Sequence, residues 1–486
     1  MPTQSTDPRT GDPFGPLIDD TSAAELDAVV AAAIVAAPQW ADAPASLRVS
    51  GLRAIADALD SAGAELVPLA DRETGLGAGR LGGELARTTF QLGMFADLVE
   101  SGAHLNVLVD AEVPGAPPAG HPELRRLLVP LGPVAVFGAS NFPFAFSVPG
   151  GDTASALAAG CPVVVKAHPG HPQTSEAVAA VMIQALAEAG APDGTFALVR
   201  GMETGRALVQ HPGVRAAAFT GSYAGGRALF DLAVSRPDPI PFYGELGSVN
   251  PVVVTRGAAE RGAALAAEYV DSLTLGTGQF CTNPGLLLVP TGSGLTELVA
   301  AEAGTRERGV MLHGGVASLF RSNVASVRDL PGVRVLVDGS APGGPGAHSA
   351  PVILAADATT ALEEHELLRT ECFGPAGLIV EYASDADLFA VLDHLEGCLV
   401  ATIHGTADEP VAAAIVQRLA RIAGRLVWNG WPTGVAVSAG QHHGGPHPAT
   451  TNALHTSVGT AAIHRFQRPV AFQGLPFNLL PAGLQI

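Results

Sequence analysis

The fold is decided by the stretch from residue 134 to residue 166. It reads Val134-Ala135-Val136-Phe137, then Gly138-Ala139-Ser140-Asn141, then a helical segment over residues 151–159, and finally Val163-Val164-Val165-Lys166. Parallel strands that are buried on both faces read as continuous apolar runs rather than as alternating ones. The stretch therefore predicts a strand–helix–strand unit of a doubly wound α/β fold.

The same alternation continues along the chain. It predicts a helix at 175–189, strands at 195–199 and 215–219, a helix at 221–232, and a second series that restarts at Asn250 and ends near residue 430. Residues 20–104 read as helices, one of which opens with the capping-box pattern Ser22-Ala23-Ala24-Glu25. The apolar run 24–37, which ends before Pro38, is predicted to be an amphipathic surface helix rather than a membrane span. Two α/β domains are expected.

A different pattern separates the N-terminal helices from the first strand. Two strand-like runs, residues 107–109 and 126–129, flank the loop Pro114-Gly115-Ala116-Pro117-Pro118-Ala119-Gly120. Glycine and proline at this density mark a turn or loop. The segment is predicted to be a hairpin or arm.

Composition excludes several classes of partner. The formal net charge is −19, and no run of lysine or arginine is present. An acidic surface repels nucleic acid and anionic lipid, so a small-molecule partner is favoured. The N-terminus has no secretory pattern, and the four scattered cysteines form no CxxC pair. A cytoplasmic protein with reduced thiols and no resident metal is expected.

Three short segments carry candidate chemistry. Phe219-Thr220-Gly221-Ser222-Tyr223-Ala224-Gly225-Gly226 joins a strand to a helix, whose N-terminus favours an anion. Cys281 lies in a glycine-rich loop, where it is either a presented nucleophile or a small buried hydrophobe. Glu245 stands alone among apolar residues, and a desolvated carboxylate can act as a general base. Cys161, Cys372 and Cys398 read as buried residues.

Two other features bear on binding. Lys166 is the only lysine among 27 basic residues, which suggests a task that arginine cannot perform. Clustered histidines occur in Gln441-His442-His443-Gly444-Gly445-Pro446-His447, but glycine and proline dominate this segment, and no carboxylate or cysteine ligand is expected nearby. A metal site is not expected there.

Taken together, these segments resemble the aldehyde dehydrogenase superfamily along nearly the whole chain. The matching motifs stand in the family's order: Ser140-Asn141-Phe142-Pro143, Val163-Val164-Val165-Lys166, Phe219-Thr220-Gly221-Ser222, Glu245-Leu246-Gly247, Gly278-Gln279-Phe280-Cys281 and Glu371-Cys372-Phe373-Gly374-Pro375. The segments 137–143, 150–157, 278–285 and 429–434 are similar to the branch of 2,5-dioxopentanoate (α-ketoglutarate semialdehyde) and NADP-dependent fatty-aldehyde dehydrogenases.

The resemblance implies a role for each motif. Cys281 attacks the aldehyde to form a thioester, Asn141 and the Cys281 backbone N–H hold the oxyanion, and Glu245 activates water. Lys166 binds the adenosine ribose and, where present, its phosphate, with His168 nearby in the cofactor site. Ser222 binds the pyrophosphate, and Glu371 holds the nicotinamide ribose. Gly221, Gly226, Leu246 and Phe373 complete the cofactor site.

The chain departs from the family in three places. Many members carry an acidic residue where this chain has Pro169, and without that carboxylate a 2′-phosphate is not repelled. NADP is therefore expected as cofactor, with NAD as the alternative. Ser140 replaces a common aromatic residue beside the substrate pocket. The N-terminal part looks short, so a leading strand or hairpin is expected to be missing.

The resemblance also implies a three-part architecture. A cofactor-binding domain is expected at 1–105 and 131–245, a catalytic domain at 246–459, and an oligomerisation arm at 106–130 and 460–486. The strand edges of such an arm pair with other strands, so a homodimer or homotetramer is expected.

The substrate and the reaction leave alternatives open. 2,5-Dioxopentanoate requires a cationic or hydrogen-bonding contact for its carboxylate, whereas a fatty aldehyde requires an apolar tunnel. A nucleotide-independent cysteine hydrolase that uses Cys281, Glu245 and Lys166 is an alternative from another class. A catalytically silent relative and an enzyme that passes its acyl group to coenzyme A are the others; the presence of Glu245 favours water as the acceptor.

Overall fold

The computed structural model describes residues 2–485. The N-terminal third contains two strands, four helices and two further strands: β1 (Thr3–Thr6), β2 (Pro13–Ile18), α1 (Ala23–Ala41), α2 (Ala45–Ser61), α3 (Gly63–Thr74), α4 (Ala78–Glu100), β3 (Leu108–Asp110) and β4 (Leu124–Pro130). The expectation that a leading hairpin is missing is wrong. β1 and β2 pair antiparallel, and the backbone of Asp7 closes the turn between them by bonding Gly11 and Asp12.

Helix α1 begins as predicted and ends later than predicted. The Ser22 side chain accepts a hydrogen bond from the Glu25 N–H while Glu25 caps Ser22 in return, which confirms the capping box. The helix does not end at Pro38, because the proline carbonyl still accepts the Asp42 N–H and the turn is completed. By length and hydropathy α1 could cross a membrane. Here, however, its inner face packs into the core and the Trp40 indole bonds the Leu157 carbonyl.

The first α/β unit has a five-stranded parallel sheet in the order β7-β6-β5-β8-β9. Its interior strands β5 and β6 are fully buried, as their continuous apolar sequences require. The elements are β5 (Val134–Phe137), α5 (Gly151–Ala159), β6 (Val163–Lys166), α6 (Pro172–Glu188), β7 (Phe196–Val199), α7 (Met202–Gln210), β8 (Ala216–Thr220), α8 (Tyr223–Val234) and β9 (Phe242–Glu245).

The second unit has a seven-stranded sheet in the order β13-β15-β16-β11-β10-β17-β18. Only the edge strand β13 is antiparallel to its neighbour. The elements are β10 (Pro251–Val254), α9 (Arg256–Ala259), α10 (Ala263–Thr274), β11 (Leu286–Pro290), α11 (Leu295–Ala303), β12 (Gly309–Val310), α12 (Gly314–Arg328), β13 (Arg334–Asp338), β14 (His348–Ser349), β15 (Val352–Asp357), α13 (Ala358–Glu363), β16 (Ala376–Tyr382), α14 (Asp385–His394), β17 (Cys398–His404), α15 (Pro410–Leu419) and β18 (Ala423–Trp428).

A separate three-stranded antiparallel sheet is formed by β3, β4 and β19 (Gln467–Gln473). Strand β19 pairs with β4 along its whole length, from Gln467 opposite Pro130 to Gln473 opposite Leu124. The preceding 3₁₀ turn, Thr460–Phe466, packs instead against α5 in the core of the first unit. Two doubly wound α/β units with a small β arm are therefore confirmed as the fold.

Candidate functional site

A cavity of about 970 Å³ lies at the carboxyl ends of the strands of the first sheet, where ligands bind in open α/β sheets. Its walls also include loops of the second unit. The structure brings nearly all the predicted site residues to this cavity. Those that line it are Asn141, Lys166, His168, Gly221, Ser222, Glu245, Leu246, Cys281, Glu371 and Phe373.

Gly226 is the exception: it does not line the cavity but packs against Leu246, which does. A Cβ at this position would lie 2.1 Å from Leu246 Cδ2, so only glycine allows α8 to approach β9 this closely. Helix α8 begins at Tyr223, and Ser222 is its N-cap, with the hydroxyl accepting from the Gly225 N–H at 3.3 Å. The prediction that the helix begins at Gly221 was early by two residues. The free N–H groups of the first turn face the cavity end and suit a phosphate.

Lys166 and His168 line the same end of the cavity but offer different groups. Burial lowers the pKa of Lys166 to about 8, opposed by the nearby Asp20 carboxylate. His168 stacks on His171 with ring centroids 5.5 Å apart, and its Nδ1 accepts from the Gly170 N–H. Burial, and then the adjacent His171, lowers the pKa of His168 well below its usual value. His168 is therefore a neutral hydrogen-bonding group. The cation that the sequence analysis missed here is Arg206.

The loop that carries Cys281 is held in an unusual backbone conformation. Gly276, Thr277 and Gly278 all have positive φ, and a Cβ on Gly278 would lie 2.2 Å from the Gly374 carbonyl oxygen. Only glycine fits at that approach. Beyond the turn, the Asn250 amide donates to the carbonyl of Cys281 at 2.9 Å. Both ends of the loop are thus fixed, and the Cys281 side chain is presented to the cavity.

A histidine that the sequence analysis set aside lies beside the thiol. His443 Nε2 is 3.6 Å from Cys281 Sγ and 2.8 Å from Glu245 Oε1. His443 is buried, and its backbone N–H bonds the Thr456 hydroxyl at 2.8 Å. The glycines and the proline around His443 do not mark a loop without function. They allow residues 441–447 to lie close to Cys281 and Glu245, and no local sequence pattern predicts that contact.

Glu245 ends strand β9 and is almost completely buried. Burial alone would raise the pKa of its carboxyl, but the contacts with His443 and Ser457 outweigh burial and lower the pKa. The Ser457 hydroxyl donates to Oε2 at 2.6 Å. Oε1 is buried and lies 2.8 Å from His443 Nε2. Ser457 therefore holds one carboxylate oxygen, and the other faces His443 and the Cys281 thiol.

The remaining groups complete the surroundings of Cys281. Burial, and next the Glu245 carboxylate, raises the pKa of the Cys281 thiol well above its usual value. The Asn141 amide donates to the carbonyl of Gln279, two residues before the cysteine, at 3.1 Å. The ligand atoms of Glu245, Cys281 and His443 all lie within 4.8 Å of one another, which is also a spacing that could hold a metal ion.

Glu371 lines the cavity close to the first unit. A Cβ on Gly247 would lie 2.3 Å from Glu371 Oε2, so the glycine makes room for the carboxyl. Burial raises the pKa of Glu371 to about 7, opposed by a backbone hydrogen bond from Ser248. A helix N-terminus, a lysine and a carboxyl thus stand along one elongated cavity, an arrangement that fits a dinucleotide.

Comparisons with known proteins agree with this geometry. Residues 2–468 match the model of the aldehyde dehydrogenase family. The chain is 46% identical over 487 residues to alpha-ketoglutaric semialdehyde dehydrogenase 2 of Azospirillum brasilense, covering 99% of this chain and 92% of that protein. It is 41% identical over 478 residues to the alpha-ketoglutaric semialdehyde dehydrogenase of Acinetobacter baylyi, covering 97% and 91%.

Among solved structures, succinic semialdehyde dehydrogenase of Streptococcus pyogenes, in complex with NADP⁺, superposes with a TM-score of 0.82 at 18% identity. The match covers 98% of this chain and all of that one. At this identity the likeness shows the fold, and the family match over residues 2–468 shows the class of reaction. The chain belongs to the aldehyde dehydrogenase family and is an oxidoreductase that acts on aldehydes with a nicotinamide cofactor.

Proposed function

We propose that this enzyme oxidises 2,5-dioxopentanoate to 2-oxoglutarate through a thioester on Cys281, and that it prefers NADP to NAD. The observation that carries the mechanism is the cluster of Cys281, His443 and Glu245 at the cavity wall. The substrate follows from the names of the relatives that are 46% and 41% identical over nearly the whole chain.

The first step requires a thiolate, and the site holds a thiol. Because the pKa of Cys281 is raised, a neighbouring base has to take its proton. His443 Nε2 is 3.6 Å from Sγ and is aligned with it. When Nε2 accepts the proton, the imidazolium stands 2.8 Å from the Glu245 carboxylate, which stabilises the positive charge. The thiolate then attacks the aldehyde carbon.

Attack converts the carbonyl oxygen into an oxyanion. The Asn141 amide and the Cys281 backbone N–H are the donors proposed to hold it, and such donors stabilise charge as it develops. A nicotinamide held in this cavity would accept the hydride that the thiohemiacetal on Cys281 loses when it becomes a thioester. The residues proposed to hold that cofactor are Lys166, Ser222 and Glu371, all on the wall of one cavity.

Hydrolysis of the thioester requires a base with a free lone pair. Glu245 Oε1 provides one, because Ser457 engages only Oε2. Water that loses its proton to Oε1 attacks the acyl carbon, the C–S bond breaks, and the acid leaves. This position of Glu245 supports water as the acyl acceptor rather than coenzyme A.

The preference for NADP rests on charge at the adenosine end of the cavity. Lys166 and Arg206 line this end, and Pro169 stands where a carboxylate would repel a 2′-phosphate. Arg206 lies 3.5 Å from the Glu203 carboxylate but is 58% exposed, so it remains free to turn towards a phosphate. Neutral His168 adds a hydrogen-bonding group.

We further propose a homodimer or homotetramer in the cytoplasm. The edge strand β3 exposes Leu108 and Val109, and such a strand edge invites pairing with a second copy. The four cysteines are all free, as expected for a reducing compartment.

The test is formation of NADPH or NADH by purified enzyme supplied with 2,5-dioxopentanoate or with a long-chain aldehyde. We expect the highest kcat/KM with 2,5-dioxopentanoate and NADP, and no turnover in Cys281→Ala. A higher kcat/KM with the long-chain aldehyde would assign the enzyme to fatty aldehydes instead. Equal or better efficiency with NAD would contradict the cofactor preference.

A further inference from the structure

The wall of the site that faces away from the cofactor cavity contains two arginines stacked on aromatic rings. Arg80 and Arg87 both project from α4. The Arg80 guanidinium lies 5.0 Å from the Phe142 ring centroid and 4.7 Å from that of Phe280, the residue before Cys281. None of these residues lines the cofactor cavity. This arginine wall therefore lies beside Cys281 on a side that the cofactor cavity does not occupy.

Arg87 is linked to the reacting groups through one aromatic ring. Its guanidinium carbon lies 5.1 Å from the Phe146 ring centroid, and that ring lies 6.2 Å from the His443 ring. The thiol of Cys281 is 3.6 Å beyond His443 Nε2. A guanidinium that stacks on a ring keeps its N–H edges free for hydrogen bonds in the ring plane. Arg87 is thus near enough to Cys281 for the two groups to interact electrostatically, and its guanidinium has donors to offer.

The arginine wall carries positive charge that no carboxylate neutralises directly. Within residues 2–485, neither Arg80 nor Arg87 has a carboxylate within ion-pair distance, whereas most other arginines do. The one polar bond of Arg87 is a weak one, from Nη2 to the Val435 carbonyl at 3.4 Å. Arg80 Nη2 bonds the Asn141 carbonyl at 2.7 Å, while its Nη1 is buried without a partner.

The nearest acid on the same helix face is Glu84, one turn from each arginine. Its Oε1 accepts from the backbone N–H groups of Phe144 and Ala145, at 2.8 and 3.0 Å. It is buried, and this burial raises its pKa to about 7. Glu84 thus faces both guanidiniums, and Glu245 also acts on Arg87 electrostatically, but neither carboxylate forms an ion pair with Arg80 or Arg87.

We infer that Arg87 binds the carboxylate of an aldehyde that carries an acid group at its far end. Arg80 is then the positioning residue, because it fixes the backbone of Asn141 and adds to the positive potential. The aromatic rings accommodate the short carbon chain between the two ends. A long aliphatic tail offers no acceptor to the guanidiniums and would leave them desolvated, which is costly. This inference rests on the proposed function and specifies how its substrate is recognised.

The test compares two aldehydes of equal length that differ only in the far carboxylate, 5-oxopentanoate and pentanal. We expect Arg87→Met to raise KM for 5-oxopentanoate about 10- to 100-fold, the range for a lost charged hydrogen bond, and to leave KM for pentanal within about twofold. Arg53→Met is the control. Arg53 lies on α2 and pairs with Asp97 and Glu100, two exposed residues of α4. An equal rise for both aldehydes, or no rise for 5-oxopentanoate, overturns the inference.

A binding measurement separates this inference from the proposed function. Glutarate and pentanoate are titrated calorimetrically into the enzyme without nucleotide, so no turnover is needed. Glutarate binding that is lost in Arg87→Met supports the inference even if 2,5-dioxopentanoate is not oxidised. Oxidation of 2,5-dioxopentanoate with unchanged glutarate binding in Arg87→Met overturns the inference and leaves the function standing. Should Arg87→Met not fold, Arg87→Lys carries the same test: it keeps the charge but loses the bidentate fork, and weaker glutarate binding is expected.

Discussion

His443 Nε2 lies 3.6 Å from Cys281 Sγ, although 162 residues separate the two along the chain. The contact joins a loop of the second unit that precedes β11 to a loop that follows β18. Since Cys281 has a raised pKa, this contact decides how the thiolate forms. In the proposed mechanism, the histidine therefore joins the cysteine and the glutamate as a third reacting group.

Replacement of His443 by glutamine is expected to slow thiolate formation. Burial and Glu245 hold the pKa of Cys281 high, so without the imidazole the reactive thiolate forms only at higher pH. We expect the acid limb of kcat/KM to move to higher pH and the rate at neutral pH to fall by about 100-fold, the lower end for general acid–base catalysis. The rate of Cys281 alkylation by iodoacetamide, followed against pH, measures this directly.

The neighbouring His442 provides the control for that experiment. It belongs to the same loop but makes no contact with the thiol, so His442→Gln should alkylate like the wild type. If His443→Gln and the wild type had the same pH profile of alkylation, Glu245 rather than His443 would be the acceptor of the thiol proton.

Glu245→Gln is expected to separate the two halves of the reaction. The amide cannot take a proton from water, whereas thioester formation through Cys281 and His443 continues. We expect a burst of about one reduced nucleotide per active site, followed by turnover slowed by ~100-fold or more. Stopped-flow absorbance measures the burst. Ser457→Ala, which removes the 2.6 Å bond to Oε2 and a 3.2 Å bond to the His443 carbonyl, should show a smaller loss. Slow turnover without a burst would place Glu245 in the first half-reaction.

Much of this site could be predicted from the sequence, because its strands and turns are each encoded by a short continuous segment. Continuous apolar runs predicted strands β5, β6 and β8, and the groups that follow those strands meet at one sheet edge for topological reasons. Gly221 and Ser222 predicted a strand-to-helix turn that can bind an anion. The family resemblance then supplied roles for side chains whose motifs match.

The parts that sequence could not reveal depend on distant segments or on solvation. His443 and Arg87 reach the site from a loop and a helix with no motif of their own, and only tertiary packing joins them to Cys281. The neutral state of His168 follows from burial among other histidines, which its His-Pro-Gly-His context does not indicate. The N-terminal hairpin was missed because only twelve residues precede its return strand, too few for a periodic signal.

Pro169→Glu is expected to reverse the nucleotide preference. The proline lines the adenosine end of the cavity, so a carboxylate there meets a 2′-phosphate with like charge and accepts hydrogen bonds from an unmodified ribose. We expect the ratio of kcat/KM for NADP to that for NAD to fall at least about 10-fold, which is ~1.4 kcal/mol. Arg206→Met should lower the same ratio by removing a cation, and Arg227→Met, whose arginine pairs with Asp231 on α8, should leave it unchanged.

NADP affinity is expected to fall as pH rises above 8. In the free enzyme the pKa of Lys166 is about 8, because burial disfavours its charged form. A bound 2′-phosphate favours the charged form and raises that pKa, so above pH 8 binding takes up a proton and weakens as pH increases. Below pH 8 the lysine is already charged and this dependence disappears. Calorimetric titrations in two buffers of different ionisation enthalpy measure the proton uptake, which Lys166→Met should abolish.

Zinc is expected to inhibit the enzyme reversibly. The ligand atoms of Glu245, Cys281 and His443 lie within 4.8 Å of one another, and thiolate, imidazole and carboxylate are the ligands that Zn²⁺ takes. A zinc ion there would occupy the nucleophile and the base together, so turnover should stop and return on addition of a chelator. Mg²⁺, which prefers oxygen ligands, should have no effect.

A variant tests where the zinc ion binds. Loss of one ligand in His443→Gln should weaken inhibition by roughly 100-fold, given the total free energy of a four-ligand zinc site. Equal zinc sensitivity in wild type and His443→Gln would place the inhibitory ion elsewhere on the protein.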